Sequence, residues 1–300
     1  MSPISDPWGV ILIGVFISLV LYGIIVAQVF TYYQYSEKDP LWQKVFVGIL
    51  FSLDSLSSAL AMAWMYQLLI DNWGNIVAFE SGDWLLGSDP MVAGVVAFMV
   101  QLFFAWRIHI IAGQPLLTMG IVACSFATLC GGIGTGIAVL WVKNYALFAS
   151  FRPIAIVWLI SATVGDISIT VALTYHLRRR KGTFAATDRM LDRIVQLTIQ
   201  NGLLTALVSI VDMTLYLSTP IPYHIALSFL MPKLYANTVL SSLNARRSLR
   251  PLGKITESGL GSISTTRAPD VVILSHDVRR PEVLVSTESH ELTDVKNEWN

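Results

Sequence analysis

Four ionisable residues lie deep inside long apolar stretches of this sequence: Asp54, Asp166, Asp212 and Lys233. A charged side chain in the middle of a lipid bilayer is costly, so such residues usually face the interior of a helix bundle and mark an ion pair or a functional site. These four residues are therefore the candidates for a polar core. Asn237, one helical turn after Lys233, is the neutral candidate for the same core.

Lys233 is the residue around which this core is predicted. With a rise of about 1.5 Å per residue, Lys233 lies roughly 15 Å below the outer end of its stretch, Asp166 roughly 18 Å, Asp212 roughly 9 Å and Asp54 roughly 24 Å. A lysine at that depth does not reach the membrane surface easily, so its ammonium group is expected to face Asp166 or Asp212. A structural ion pair, a ligand or ion site and a retinal Schiff base all stay open. Asp54 is interpreted either as an ion site or as a hydrogen-bonded structural acid.

Seven apolar stretches must position these residues. Hydrophobic residues make up 54% of the 300 residues and charged residues only 13%, against about 25% in a soluble domain. A spanning helix needs about 20 mostly apolar residues, and the stretches that qualify are 8–33, 45–70, 91–111, 116–141, 154–177, 194–217 and 223–243. Segments such as Ser88-Asp89-Pro90 are expected to lie between them. The predicted fold class is all-α, a polytopic membrane protein with seven transmembrane helices.

The distribution of Lys and Arg predicts the orientation of the bundle. One set of alternating loops holds only Lys143 and Arg152, whereas the other set, together with residues 244–254, holds 13 basic residues. Because basic loops stay in the cytoplasm, the N-terminus is predicted outside and the C-terminus inside. The loop 71–89, which carries acids and no bases, is then an outer loop.

A basic segment follows the fifth stretch and is predicted on the cytoplasmic side. Its basic residues are Arg178, Arg179, Arg180, Lys181, Arg189 and Arg193. Such a segment contacts anionic lipids or docks a cytoplasmic protein, and both interpretations stay open. The sixth helix is expected to extend below the membrane, with Arg189 and Arg193 on one face. The net charge of +0 provides no overall basic field for nucleic acid.

Patterns typical of catalysis or of a bound cofactor are absent from the sequence. It has no HExxH, GxSxG or Walker A motif, and its five histidines fall at predicted helix ends or in the C-terminal tail. We therefore predict no enzymatic activity, no metal and no cofactor. Gly132 and Gly136 lie four residues apart in an apolar stretch, a spacing that predicts close helix packing.

The chain is predicted to divide into a seven-helix domain, residues 1–247, and a disordered cytoplasmic tail, residues 248–300. Residues 255–300 contain eight acidic and four basic residues, many Ser and Thr, and no sustained apolar period. A segment of this composition buries too little apolar surface to fold by itself.

Several short motifs are distributed along the apolar stretches. They are Leu21-Tyr22-Gly23 with Gln28, Gln101-Leu102-Phe103-Phe104-Ala105-Trp106-Arg107-Ile108, Thr187-Asp188, Asn201-Gly202-Leu203-Leu204-Thr205, Lys233-Leu234-Tyr235-Ala236-Asn237 and Leu243-Asn244-Ala245-Arg246. Together they resemble a fungal family of seven-helix membrane proteins known only as a domain of unknown function. The resemblance covers roughly residues 10–247. It implies a multi-pass membrane protein and supplies no catalytic residues.

The predicted topology is also similar to that of G-protein-coupled receptors, but the sequence departs from their main class. Arg107 follows Ala105-Trp106 where that class has an acidic residue, and no Asn-Pro-x-x-Tyr motif ends the seventh stretch. The expected function is a receptor-like sensor in the plasma membrane, with loop 71–89 shaping ligand access and the polar residues forming a switchable core. The expected partners are the lipid bilayer and a cytoplasmic protein, and the alternative is a small transporter or proton-coupled channel.

Overall fold

The computed structural model describes residues 5–37, 39–75, 81–143, 145–179, 185–219 and 221–245. The tail predicted for residues 248–300 lies outside this part of the chain and stays a prediction. The same holds for Arg180 and Lys181 of the basic segment.

The regular structure of the described residues is helical. The helices are α1 Ser5–Tyr35, α2 Leu41–Tyr66, α3 Trp84–Ala112, α4 Pro115–Val142, α5 Arg152–Arg179, α6 Ala185–Ser218, α7 His224–Ser228 and α8 Met231–Asn244. A π-helical turn, Gln67–Asp71, extends α2, and a 3₁₀ turn, Tyr145–Phe151, precedes α5. Helices α1 to α6 are long and apolar enough to cross a membrane. They confirm six of the seven predicted stretches as helices.

The seventh predicted stretch differs from the expectation, because it forms two short helices and not one long helix. The helical hydrogen-bond pattern is interrupted between α7 and α8 at Phe229 and Leu230, whose backbones keep right-handed helical dihedral angles, and Leu230 N donates to Leu227 O in a tighter turn. Pro232 at the start of α8 has no N–H, so the carbonyl of Ser228 loses its helical donor. Together α7 and α8 cover residues 224–244, a length of roughly 30 Å if helical throughout.

Helix α3 begins earlier than the sequence predicted, and the expected loop position of Ser88-Asp89-Pro90 is wrong. Asp83 is the N-cap residue of the helix, and its Oδ1 accepts from the N–H of the next residue, Trp84, at 2.6 Å. Pro90 is accommodated inside the helix. Asp89 is consequently a buried residue of a long apolar helix and not part of an outer loop.

The bundle has two apolar clusters, one at each end. One contains Trp8, Trp64, Leu86 and Phe229, and we call that end of the bundle the N-terminal end. The other, at the opposite end, contains residues from α1 to α6 and α8, such as Tyr235. Helix α8 lies at the centre, in contact with α1, α2, α3 and α6, and 11 of its 14 residues are buried.

The interface between α3 and α4 confirms the predicted close packing at Gly132 and Gly136. A Cβ on Gly132 would lie 2.8 Å from the Pro90 carbonyl oxygen and 2.9 Å from the Gly94 Cα, and one on Gly136 would lie 2.5 Å from the Gly87 carbonyl oxygen. Only glycine fits at these positions, because the two backbones touch. This close approach holds the α3 segment that carries Asp89 against α4.

Candidate polar core and cavity

Lys233 lies in the first turn of α8 and is completely buried, with 0% of its surface exposed. Its Nζ donates a hydrogen bond to the Ser57 hydroxyl of α2 at 2.6 Å. A buried ammonium group also needs negative charge nearby. Its electrostatic neighbours are Asp54 of α2 and Asp89 of α3, so Lys233 joins three helices of the bundle.

Asp54 has Lys233 as the neighbour that can compensate a negative charge on its carboxyl group. Its side chain is 0% exposed, and neither carboxylate oxygen has a hydrogen-bond partner among the described residues. Lys233 is its charged neighbour. Among the described residues Asp54 therefore has a charged neighbour across a helix interface and no hydrogen-bond donor, which differs from its interpretation as a hydrogen-bonded structural acid.

The pairing of Lys233 with Asp166 or Asp212 is wrong, since other groups occupy the Asp166 carboxylate. Gln101 Nε2 donates to its Oδ1 at 3.0 Å, and the Tyr235 hydroxyl donates to its Oδ2 at 2.9 Å. Tyr235 follows Lys233 by two residues, which is about 200° around a helix. Similar depth in the membrane therefore does not bring Lys233 and Asp166 together, because they meet opposite sides of α8.

Asp212 on α6 faces a carboxylate and not the lysine. It is 3% exposed and Asp89 is 5% exposed, and the charged neighbour of Asp212 is Asp89. The Ser228 hydroxyl donates to Asp89 Oδ2 at 2.8 Å. Asp89 Oδ1 and Asp212 Oδ1 have no hydrogen-bond partner in the described part of the chain.

Both acids line a cavity of about 60 Å³, and we call it the Asp89–Asp212 cavity. Its polar lining also includes Thr135, Tyr216, His224 and Ser228, and its aromatic wall includes Phe148, Phe151 and Trp158. The His224 ring packs edge-on against Tyr216, with centroids 4.9 Å apart, and its Nδ1 has no partner within the described ranges. The cavity therefore offers several unused polar atoms in an apolar surround.

A larger open groove of about 570 Å³ lies at the same end of the bundle. Residues at both edges of the predicted outer loop 71–89 line it, among them Asn72, Gly82 and Asp83. Gly82 also contacts the lining of the smaller cavity, since a Cβ there would lie 3.2 Å from Val139 and 3.3 Å from Phe148. Both concave surfaces are thus adjacent at the N-terminal end.

The opposite end of the bundle is held by hydrogen bonds between helices. Arg107 of α3 donates to the Ser242 hydroxyl at 2.5 Å, and Asn201 of α6 donates to the Ser241 hydroxyl at 2.8 Å. Asn237 behaves differently from the expectation, because its side-chain amide donates to the Lys233 carbonyl of its own helix at 2.8 Å. Asn237 thus contributes to the local geometry of α8 around Lys233.

The basic segment is described only in part. Arg178 and Arg179 end α5 and Arg193 lies near the start of α6, all three with exposed side chains. Arg189 is part of α6, but its side chain lies outside the described residues, as do Arg180 and Lys181. Helix α6 starts at Ala185, which confirms that the sixth helix extends before its apolar stretch.

Sequence reasoning missed Asp89, Ser57, Gln101 and Tyr235 as members of the core. The sequence pattern places Asp89 in a loop, and the other three are ordinary residues on the polar faces of apolar helices. The Asp83-Trp84 helix start is the signal that would have placed Asp89 inside α3. Among the described residues no group of three or more His, Cys, Asp or Glu is arranged to hold a metal ion.

The part of the chain that is similar to a known protein family lies in the second half of the bundle. Residues 162–248 match DUF6534, a family of unknown function. The DUF6534 segment comprises most of α5 and all of α6, α7 and α8, so it contains Asp166, Asp212 and Lys233. Asp54 and Asp89 lie outside it, as do the motifs of the first and third stretches. No match was found among curated proteins or among solved structures.

Proposed function

We propose that this protein is a receptor-like membrane sensor with seven transmembrane segments, in which a small ligand in the Asp89–Asp212 cavity changes the packing of α7 and α8. The observation that carries the proposal is the position of α8. This one helix links Lys233 to Ser57, Tyr235 to Asp166 and Ser242 to Arg107, at three successive depths of the bundle. A displacement of α8 would alter all three contacts together.

The break between α7 and α8 supports this mechanism. Ser228 of α7 bonds directly to Asp89 in the cavity wall, and Lys233 of α8 follows the break by only three residues. A discontinuous helix can change its angle at lower cost than a continuous one, because Pro232 has already removed a backbone hydrogen bond. A change in charge at Asp89 would therefore affect Ser228 directly, and Ser228 precedes the start of α8 by only a few residues.

The sensor is proposed to face outward in a fungal plasma membrane. The 13-to-2 asymmetry of basic residues supports a cytoplasmic position for the end opposite to the N-terminal end, and the motif resemblance supports the fungal source. The exposed residues Arg178, Arg179 and Arg193 would then face anionic lipid or a cytoplasmic partner. The protein would transmit a conformational signal and catalyse no reaction.

The orientation predicts the accessibility of epitope tags. A tag fused before residue 2 should bind antibody on intact cells, and a tag fused after Asn300 should bind only after permeabilisation. Fluorescence of both fusions, measured before and after permeabilisation, tests this. A tag inserted between Asn75 and Ser81 should behave like the N-terminal tag. The reverse labelling pattern would contradict the orientation and the assignment of the cavity to the outer side.

Coupling between the two ends predicts a structural response to Asp212→Asn. In a background with Cys124→Ala and Cys130→Ala, spin labels at residues 41 and 193 report on the end opposite to the N-terminal end. The substitution removes the acid that faces Asp89 in the cavity, so the label distance should shift by roughly 1–2 Å or split into two populations. Asp71→Asn, an exposed acid, is the control. An unchanged distance in Asp212→Asn would contradict the sensor.

A small proton-coupled transporter or channel is the second candidate function. The break in the seventh segment favours it, because transporters build midplane binding sites from discontinuous helices. A second label pair at Trp73 and Trp141, both exposed at the N-terminal end, separates the two functions. Opposite changes at the two ends in Asp212→Asn would indicate alternating access and a transporter, whereas a change confined to residues 41 and 193 supports the sensor.

A further inference from the structure

The buried ionisable groups around the cavity include more acids than bases. Asp212 interacts with Asp89, Asp89 with Lys233, and Lys233 with Asp54. Three acidic side chains therefore form one series of neighbours with a single lysine in the described part of the bundle. A carboxylate that is buried without a counter-charge is strongly disfavoured. Asp212 is the end of this series farthest from Lys233, and its charged neighbour is another acid.

The lining of the Asp89–Asp212 cavity fits one class of compensating ligand. Asp212 is more than nine-tenths buried, lines the cavity and keeps an unpartnered oxygen. Asp89 supplies a second such oxygen, and His224 Nδ1 can accept a hydrogen bond when the ring proton is on Nε2. These acceptors suit a cation that carries N–H donors, because each can take a charge-assisted hydrogen bond.

The aromatic residues in the cavity wall restrict the class of ligand further. Phe148, Phe151 and Trp158 line the same cavity, and aromatic faces attract organic ammonium groups. They cannot replace the water oxygens of a strongly hydrated metal ion. The arrangement also lacks, among the described residues, the three ligating side chains of a dedicated metal site.

We propose that the Asp89–Asp212 cavity binds a small organic ammonium ion, the protonated form of a primary amine. Its nitrogen lies between the two carboxylates and its carbon end contacts the aromatic wall. The volume of about 60 Å³ is less than half that of a cavity of ~150 Å³ that holds benzene, so the enclosed part of the ligand is only a few heavy atoms. The inference names the ligand class of the proposed sensor and rests on that function for its biological role, but the binding is testable by itself.

Methylammonium chloride is the probe that tests this site. The full-length chain in detergent should show a rise in Tm on the order of 2–5 °C at about 100 mM methylammonium, because so small a ligand is limited to millimolar affinity. Sodium chloride at the same concentration gives the reference Tm. Tetramethylammonium, which is larger and has no N–H donor, should give no rise above that reference.

Two variants assign the effect to the cavity. Asp212→Asn should abolish the methylammonium shift and yet remain folded, since asparagine keeps the size of the side chain and Asp212 has no basic neighbour to lose. Asp166→Asn, a buried acid outside this cavity, should keep the shift. Binding is contradicted if methylammonium gives no rise in Tm above the sodium chloride reference, if tetramethylammonium gives the same rise, or if the rise persists in Asp212→Asn.

The outcomes for the ligand and for the sensor are distinguishable. A methylammonium shift that requires Asp212, together with unchanged spin-label distances in Asp212→Asn, would leave the binding inference standing and contradict the proposed sensor. Changed spin-label distances without any methylammonium shift would support the sensor and overturn the ammonium ligand.

Discussion

Replacing Lys233 with methionine should destabilise the protein by about 3–5 kcal/mol, which is the range observed when one partner of a buried ion pair is removed. Methionine keeps most of the volume of the lysine, so the loss comes mainly from charge and not from a cavity. The Asp54 carboxylate would be left without its countercharge, and Ser57 would lose its hydrogen-bond donor. Thermal unfolding in detergent measures the effect as a lower Tm.

Double variants identify the acid that pairs with Lys233. Combining Lys233→Met with Asp54→Asn should recover much of the lost stability, because the carboxylate left uncompensated is then neutral. Combining it with Asp166→Asn should recover nothing, because Gln101 and Tyr235 hold Asp166. Lys44→Met, at a half-buried lysine near the start of α2, is the control and should change Tm little. Equal recovery in the two doubles, or none in either, would contradict the Lys233–Asp54 pair.

Gly136→Ala should lower stability by about 1–3 kcal/mol, the usual cost of overpacking a well-packed core. The added Cβ would lie 2.5 Å from the Gly87 carbonyl oxygen and would also overlap the Met91 side chain. A backbone oxygen cannot rotate away, so α3 and α4 must separate. Because α3 carries Asp89 two residues after Gly87, this separation should also widen the Asp89–Asp212 cavity and weaken the methylammonium shift.

Gly120→Ala is the matched control on the same helix. Nothing lies within 4 Å of a Cβ at Gly120, so the methyl group meets no neighbour. Alanine also has the higher helix propensity, by up to about 1 kcal/mol. Gly120→Ala should therefore leave Tm unchanged or raise it. A similar loss of stability in both variants would contradict the α3–α4 contact as the cause of the Gly136→Ala effect.

Several features of the bundle could be predicted because they depend on short pieces of sequence. The six spanning helices follow from the length and hydropathy of each stretch. Both properties depend only on residues that are consecutive in the sequence. The close packing at Gly132 and Gly136 follows from their spacing, because residues four apart share one face of a helix. The burial of Asp54, Asp166, Asp212 and Lys233 follows from their position inside apolar stretches, since lipid offers a charged group no alternative.

The partners of these residues could not be predicted, because depth along a helix says nothing about rotation around it. Lys233 and Asp166 lie at similar depth, yet α8 directs Lys233 towards α2 and Tyr235 towards α5. The contacts of α8 with four helices decide that rotation. Asp89 was missed for a related reason: a Ser-Asp-Pro segment resembles a loop in isolation, and only the cap at Asp83 and the contact with Ser228 make it part of a buried helix.

The sequence by itself determined that this protein is an all-helical, apolar chain with four charged residues that must face its interior. The tertiary structure decided that Lys233 interacts with Asp54 and Asp89, that Asp166 is bound by neutral donors, and that Asp212 faces an acid across a cavity. The physical reason is that hydropathy acts on each segment separately. Electrostatic pairing instead depends on the distance between atoms of different helices, which is fixed only when the helices pack.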